Sequence, residues 1–150
     1  MPGLKRDAGR RDMRYVALAA RQLFSVIFII ASAGHFTSAT IASAAAQGVP
    51  MAGVLVPVSG VIALAGGLSL LFGYQARVGA CLLVLFLVPV TLVMHRFWAV
   101  SDPAMVTLQF ALFMRNVLML GGALLVARVG AGSLSLDALL TEPVAVECPA

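Results

Sequence analysis

Four polar side chains inside or beside long apolar runs are the residues of this chain that could do chemistry. Arg115 and Asn116 lie near the middle of the apolar run 104–127, and His35 and His95 each end an earlier run. A guanidinium can donate two parallel hydrogen bonds, and a histidine exchanges protons near neutral pH. These side chains could therefore orient an anionic or carbonyl-bearing ligand, such as a quinone headgroup.

Arg115 is open to three explanations. A charge near the centre of a membrane span costs about 2.5–3.5 kcal/mol and usually faces a bundle interior, a wet cavity or a partner. None of the six acidic residues falls in an apolar run, so Arg115 has no carboxylate partner within its own spans. It is either hydrogen-bonded inside the bundle with help from Asn116 and Gln109, or in contact with a ligand, or in contact with a partner subunit.

The two histidines also leave alternatives open. His35 and His95 could be interfacial residues that end helices, proton carriers for a quinone, or a pair of haem ligands. Haem is disfavoured, because no second pair of ligands exists. The sequence offers no acid pair, no nucleophile with a base and no Cys/His cluster. It therefore predicts no self-contained catalytic machinery, no metal site and no covalently bound cofactor, and leaves open whether the chain belongs to an enzyme.

The composition indicates an integral membrane protein. Of the 150 residues 61% are hydrophobic and 11% are charged, and the mean hydropathy is +1.03. A soluble domain is roughly 45–50% apolar and about 25% charged. The net charge of +4 accompanies apolar runs, which is typical of topology signals and contact with anionic headgroups. We therefore expect the lipid bilayer, and not nucleic acid, as the surroundings of this chain.

Four apolar runs are long enough to cross a bilayer, since about 20 helical residues span the hydrocarbon. The chain is predicted to comprise a basic tail over 1–14, a transmembrane domain over 15–128, and a tail over 129–150 with a short amphipathic helix. The predicted fold class is all-α, a polytopic bundle of four transmembrane helices with a short cytoplasmic C-terminal helix. The predicted spans are 16–36, 53–73, 77–94 and 104–127.

Local patterns predict how these spans are arranged. Small residues recur every four positions in the second span, at Ser59, Ala63 and Gly67, which favours close helix packing and a central position. A tight turn over 73–77 predicts an antiparallel hairpin of spans two and three. Arg21 interrupts the first span near its inner end, from which its long side chain can reach the interface.

The distribution of Lys and Arg predicts the orientation. Eight of the ten flank one side of the predicted bundle, Arg96 flanks the other side, and Arg115 lies within a span. This bias places both termini in the cytoplasm of a bacterial-type plasma (inner) membrane. His35 and His95 then face the periplasm or the exterior.

The order of several short motifs resembles the DoxX family of small four-helix membrane proteins. The resemblance covers about residues 16–140. The motifs that carry it are Arg21 with Gly34-His35, Gly66-Gly67-Leu68 through Gly73 and Arg77, His95-Arg96-Phe97-Trp98, Arg115-Asn116 with Gly121-Gly122-Ala123-Leu124, and Ser133–Asp137.

This resemblance implies a function. The namesakes of the family are small membrane subunits associated with quinone-linked oxidation of sulfur compounds. The expected function is an accessory subunit of a membrane redox complex, in which Arg115, Asn116 and His95 orient a quinone headgroup and a partner supplies the electrons. The alternatives are a non-catalytic structural, assembly or membrane-anchoring protein and a transporter of a small solute or lipid. We expect a protein partner or a homo-oligomer. Many members carry a glutamate shortly before the Gly-Gly pair, where this chain has Ala63.

Overall fold

Helices account for nearly all of the chain that the structure describes. The computed structural model describes residues 2–141, with side chains from residue 12 onward, so the end of the predicted tail 129–150 lies outside the described residues. A short 3-10 turn covers Phe97–Ala99, and no strand occurs within 2–141. The helices are α1 (Pro2–Gly34), α2 (Ser38–Ala46), α3 (Ala52–Phe72), α4 (Ala76–Met94), α5 (Pro103–Val129) and α6 (Leu136–Thr141).

The predicted all-α membrane fold is confirmed. Four segments are long and apolar enough to cross a membrane: Asp12–Gly34, Ala52–Phe72, Ala76–Ala99 and Pro103–Val129. The short C-terminal helix is α6. The main difference is that α1 begins at Pro2, so the basic segment predicted as a tail continues the first helix. Proline suits the first turn of a helix, and the Lys, Arg and Ala residues that follow are good helix formers.

Helix α3 lies between α1 and α4, in line with the central position that its small residues predict. It packs against α1, α2 and α4, and α5 packs against α4. The adjacent glycines Gly66 and Gly67 serve different neighbours, since Gly66 lies against Leu83 of α4 and Gly67 lies against Phe28 of α1. The apolar core joins all four long helices through Phe28, Ala63, Leu70, Ala80, Leu83, Phe86, Leu87 and Ala123.

The bundle has two chemically different ends. The proximal end contains the tight α3–α4 turn, where Gly73 and Gln75 both have positive φ, and the predicted hairpin is confirmed there. The distal end contains α2 and the α4–α5 connection, which are joined because Arg96 Nη2 donates to the Gln47 carbonyl over 2.7 Å. His35 and His95 lie at this distal end.

Candidate functional site

Helix α5 carries most of the candidate site and is fixed at its distal end by a helix cap. Asp102 accepts a hydrogen bond from the Met105 backbone N–H over 3.1 Å, and Pro103 occupies the first turn. Both features favour helix initiation at this point. The helix then runs for 27 residues, about 40 Å at 1.5 Å per residue.

The inward face of α5 is polar at two levels. Asn116 is only 2% exposed, and Gln109, two turns nearer the distal end, is half-buried. Residues seven apart lie on one face of a helix, and this face continues at Ala123, which is fully buried in the core. Gln109 and Asn116 therefore point toward the bundle at depths that differ by about 10 Å.

Arg115 lies elsewhere on α5. Its side chain is exposed, although the residue sits near the middle of the helix. Its Nη2 atom is 3.5 Å from Asn116 Oδ1, beyond the 2.7–3.2 Å of an ordinary N–H···O hydrogen bond. The structure thus does not place Arg115 in the bundle interior, which was the first of the three explanations.

His95 forms a side-chain pair with Gln109. It follows directly after the last residue of α4, is half-buried, and has its Nδ1 atom 3.0 Å from Gln109 Oε1. An amide oxygen only accepts hydrogen bonds, so Nδ1 carries the hydrogen in this pair. The second ring nitrogen, Nε2, is then available to accept a proton or, in the imidazolium form, to donate one.

Four aromatic side chains lie within four residues of His95 or Gln109 along the sequence. Phe97 contacts Trp98, Phe110 and Phe113 edge-to-face, with ring centroids 5.0, 5.2 and 5.4 Å apart. Edge-to-face packing is a favoured geometry for aromatic rings. We call these four residues the aromatic cluster. The aromatic cluster gives the distal end a surface of large flat rings, with Trp98 and Phe110 about half exposed.

His35 sits in different surroundings. Its Nδ1 atom is 3.0 Å from the carbonyl of Ala31 in the last turn of α1, and its ring centroid is 5.3 Å from that of Phe86. Gly60 of α3 leaves space for it, since a Cβ at Gly60 would lie 2.6 Å from the His35 Cβ. His35 therefore acts in packing the distal ends of α1, α3 and α4.

The structure thus brings together two pairs and leaves His35 apart. Within the described residues, no hydrogen bond joins the Arg115–Asn116 pair to the His95–Gln109 pair, or His35 to either. Across the same part of the chain, no three His, Cys, Asp or Glu side chains converge as metal ligands would.

Comparisons with known proteins bear on this arrangement. The sequence profile of the DoxX family matches residues 16–96. The chain is also 32% identical to the inner membrane protein YqjF of Escherichia coli (strain K12) over 127 residues, which cover 83% of this chain and 92% of that protein. The chain belongs to the DoxX family. No solved structure matches it. It is a multi-pass membrane protein, and the relative lies in the inner membrane.

In this DoxX chain, the position where many members are expected to carry a glutamate is part of the apolar core. Ala63 has no exposed surface and packs in the cluster that includes Phe28 and Leu83. A carboxylate there would be buried among apolar groups, which is costly unless it is paired. The methyl group of Ala63 therefore fits the core that surrounds it.

Arg21 is a structural residue whose role the sequence did not reveal. It was expected to reach the interface, but it is only 6% exposed. Its Nη1 donates to the carbonyl of Ala131 over 2.5 Å and its Nη2 to the carbonyl of Leu134 over 2.9 Å. The chain after α5 folds back over the guanidinium and covers it. Arg21 thus ties the segment 130–135 to the proximal end of the bundle.

Asp137 completes this attachment from the other side. Its Oδ1 accepts from the Gln75 backbone N–H over 2.7 Å and its Oδ2 from that of Ala76 over 3.1 Å. These are N–H groups at the start of α4, which have no acceptor within their own helix. Asp137 therefore caps α4 from 61 residues away. The Ser-Leu-Asp motif was the available signal, but nothing local indicated which helix it caps.

We predict that Asp137→Asn lowers stability by about 1 kcal/mol, the typical net contribution of the one hydrogen bond that the variant loses. The amide has one acceptor oxygen in place of two and no negative charge toward the helix dipole. Thermal unfolding in detergent would show the loss. Asp102→Asn, which caps α5 through a single N–H, is the matched control and should change stability less. Equal losses for the two variants would contradict the two-oxygen cap.

Proposed function

We propose that this DoxX-family protein is an accessory subunit of a membrane-embedded, quinone-linked redox complex. The observation that carries the proposal is the 3.0 Å pair of His95 and Gln109 near the aromatic cluster at the distal end. The resemblance to the namesakes of the family, which are small subunits associated with quinone-linked oxidation, supports the role of a subunit.

The chemistry of the pair suits a quinone headgroup. The His95 Nε2 can donate a hydrogen bond to a quinone carbonyl in the imidazolium form, or accept one from a quinol hydroxyl in the neutral form. Gln109 holds the ring through Nδ1 and so fixes which nitrogen faces the ligand. Aromatic rings nearby supply flat apolar contacts for the quinone ring.

The protons and the electrons of quinone reduction come from different groups in this proposal. Reduction of a quinone to a quinol takes two electrons and two protons. His95 can pass protons between the ligand and the aqueous phase, because it lies at the end of α4. Imidazole and amide groups do not supply electrons, so the proposal assigns the electrons to a partner subunit. Arg115 and Asn116 lie about 9–10 Å deeper along α5 than Gln109, and the proposal therefore leaves them out of the headgroup site.

The charge bias supports an orientation with the distal end outside the cytoplasm. The proximal end, with most of the Lys and Arg residues, would then face the cytoplasm, as the positive-inside rule favours. In this orientation His95 exchanges protons with the periplasmic side.

We expect His95→Leu to weaken binding of a short-chain quinone about threefold to tenfold, the equivalent of one hydrogen bond. The measurement is a titration of the full chain in nanodiscs made from native lipid, together with the amount of quinone extracted per protein. His35→Leu is the matched control, since His35 lies at the same end and its side chain contacts the carbonyl of Ala31 in α1.

Two results would overturn the proposal. One is equal quinone affinity in the wild type, His95→Leu and His35→Leu. The other is a wild-type preparation that neither retains nor binds quinone. Gln109→Leu provides a second check, because it releases the His95 ring without removing it and should lower affinity less than His95→Leu does.

A further inference from the structure

Arg115 lies at a depth where a free charge is costly. At the distal end His95 is level with Gln109, and at the proximal end Arg21 is level with Ala131. Gln109 and Val129, the last residue of α5 and two residues before Ala131, are about 30 Å apart along the helix, which matches the hydrocarbon thickness of about 30 Å. Arg115 is about 9 Å inward from Gln109, so its exposed side chain lies within the hydrocarbon.

The face that carries Arg115 has room for another helix. One turn toward the distal end is Ala111, which is exposed and small. The guanidinium stays near its own level on α5, since its Nη2 atom is 3.5 Å from Asn116 Oδ1. Two turns the other way, Gly122 is covered by the Phe24 ring of α1, since a Cβ there would lie 2.7 Å from Phe24 Cε2. The exposed part of this face therefore extends from Gly122 toward the distal end.

Charge complementarity identifies what should cover Arg115. A second copy of this chain offers no carboxylate at that depth. Residues 13–101 and 103–136, which include the interior of all four spans, contain no Asp or Glu. In a dimer with an axis along the membrane normal, the two Arg115 side chains would also have equal depth and would repel each other. A partner of a different sequence can supply the missing anion.

We propose that this face of α5 binds a transmembrane helix of another protein, and that an Asp or Glu within that helix pairs with Arg115. A guanidinium and a carboxylate form the strongest common hydrogen-bonded pair, and charged residues within membrane spans typically pair with one another. This proposal rests on the role as an accessory subunit proposed above, but not on quinone binding, because the two sites lie on different faces of α5.

The test is photocrosslinking of the full chain in its native membrane. In the test variant a photoreactive residue replaces Leu118, which lies one turn from Arg115. In the control it replaces Val117, which has nearly the same depth and lies on the side of α5 opposite Arg115. We expect Leu118, and not Val117, to crosslink to a membrane protein with an Asp or Glu in a predicted span. In Arg115→Glu the amount of complex recovered should fall below about a tenth of the wild-type amount. Replacement of the partner's acid by Arg should restore the complex.

Each other result would overturn the proposal. Crosslinks to a second copy of this chain would indicate a homo-oligomer. Crosslinks to lipid alone, with no protein recovered from the wild type, would mean that lipid covers this face of α5 and that Arg115 reaches lipid phosphate groups. Quinone affinity measured on the same Arg115 variants separates the two proposals. It should stay at the wild-type value if the variants fold, whereas the His95 variants should lose quinone and keep the partner.

Discussion

Gly66→Val should strongly destabilise the packing of α3 against α4. A Cβ at Gly66 would lie 2.7 Å from Leu83 Cδ2 and 2.9 Å from the backbone oxygen of Gly79. A backbone oxygen inside a helix cannot move aside, so α3 and α4 would have to separate. Overpacking a core costs about 1–3 kcal/mol and occasionally more, and we expect the upper end of this range or failure of the protein to accumulate.

The contact between α3 and α4 involves a glycine from each helix, so we expect the loss of stability in Gly66→Val to be larger. Gly79 of α4 faces α3, and a Cβ there would lie 2.5 Å from the Cβ of Ser69. The two helices therefore approach each other through two glycines, as small residues allow in membrane bundles. Separation of α3 and α4 at one of these points would also loosen the other.

Gly121→Val is the matched control for this prediction. Gly121 lies in the middle of α5, and a Cβ built there has nothing within 4 Å. The same substitution should therefore change the unfolding temperature little. Thermal unfolding of both variants in one detergent measures the difference. If Gly121→Val and Gly66→Val unfold at the same temperature, the close α3–α4 approach does not govern stability.

Arg21→Leu should release the C-terminal segment and lower stability by about 2–4 kcal/mol. Hydrogen bonds to charged groups contribute about 1.5–3 kcal/mol each, and the variant loses two of them. The carbonyls of Ala131 and Leu134 would also lose their partner. The net loss is smaller than the sum, because the wild type buries a cation whose Nε atom has no hydrogen-bond partner in the described chain.

Two measurements check the Arg21 prediction. Thermal unfolding reports the stability. Labelling of a cysteine introduced at Ser135, which is only 8% exposed in the folded chain, reports release of the segment once Cys81 and Cys148 are replaced by Ser. We expect Arg21→Leu to label faster, with Arg14→Leu as the control, because Arg14 lies on the same helix and is exposed. Arg21→Lys should resemble Arg21→Leu, since a single ammonium cannot reproduce the two-pronged guanidinium contact. Unchanged labelling in Arg21→Leu would show that Asp137 alone holds the segment.

The sequence predicts which residues form the candidate site, but only partly which of them pair with one another. The sequence singled out His95 and named Gln109 as a polar neighbour of Arg115, whereas the structure pairs Gln109 with His95. The connection from Met94 to Asp102 decides this pairing, because it sets the register of α5 against α4. No local pattern in the sequence encodes that register.

The sequence by itself determined that the chain is a bundle of four membrane helices with a tight α3–α4 turn. The length of an apolar run is fixed by bilayer thickness, and the turn is fixed by local backbone chemistry at Gly73. Both are properties of neighbouring residues, so they can be read without the tertiary structure.

Only the tertiary structure decided which of two arginines is buried. The sequence placed Arg115 at the centre of a span and Arg21 near an end, which favoured Arg115 as the interior charge. In the folded chain Arg21 is covered by a segment more than 100 residues away, and Arg115 faces outward. The physical reason is that α5 carries polar residues on two faces, with Arg115 on one face and Gln109 and Asn116 on another. Its pattern therefore does not tell which of the two faces turns inward, and packing against α4 decides it.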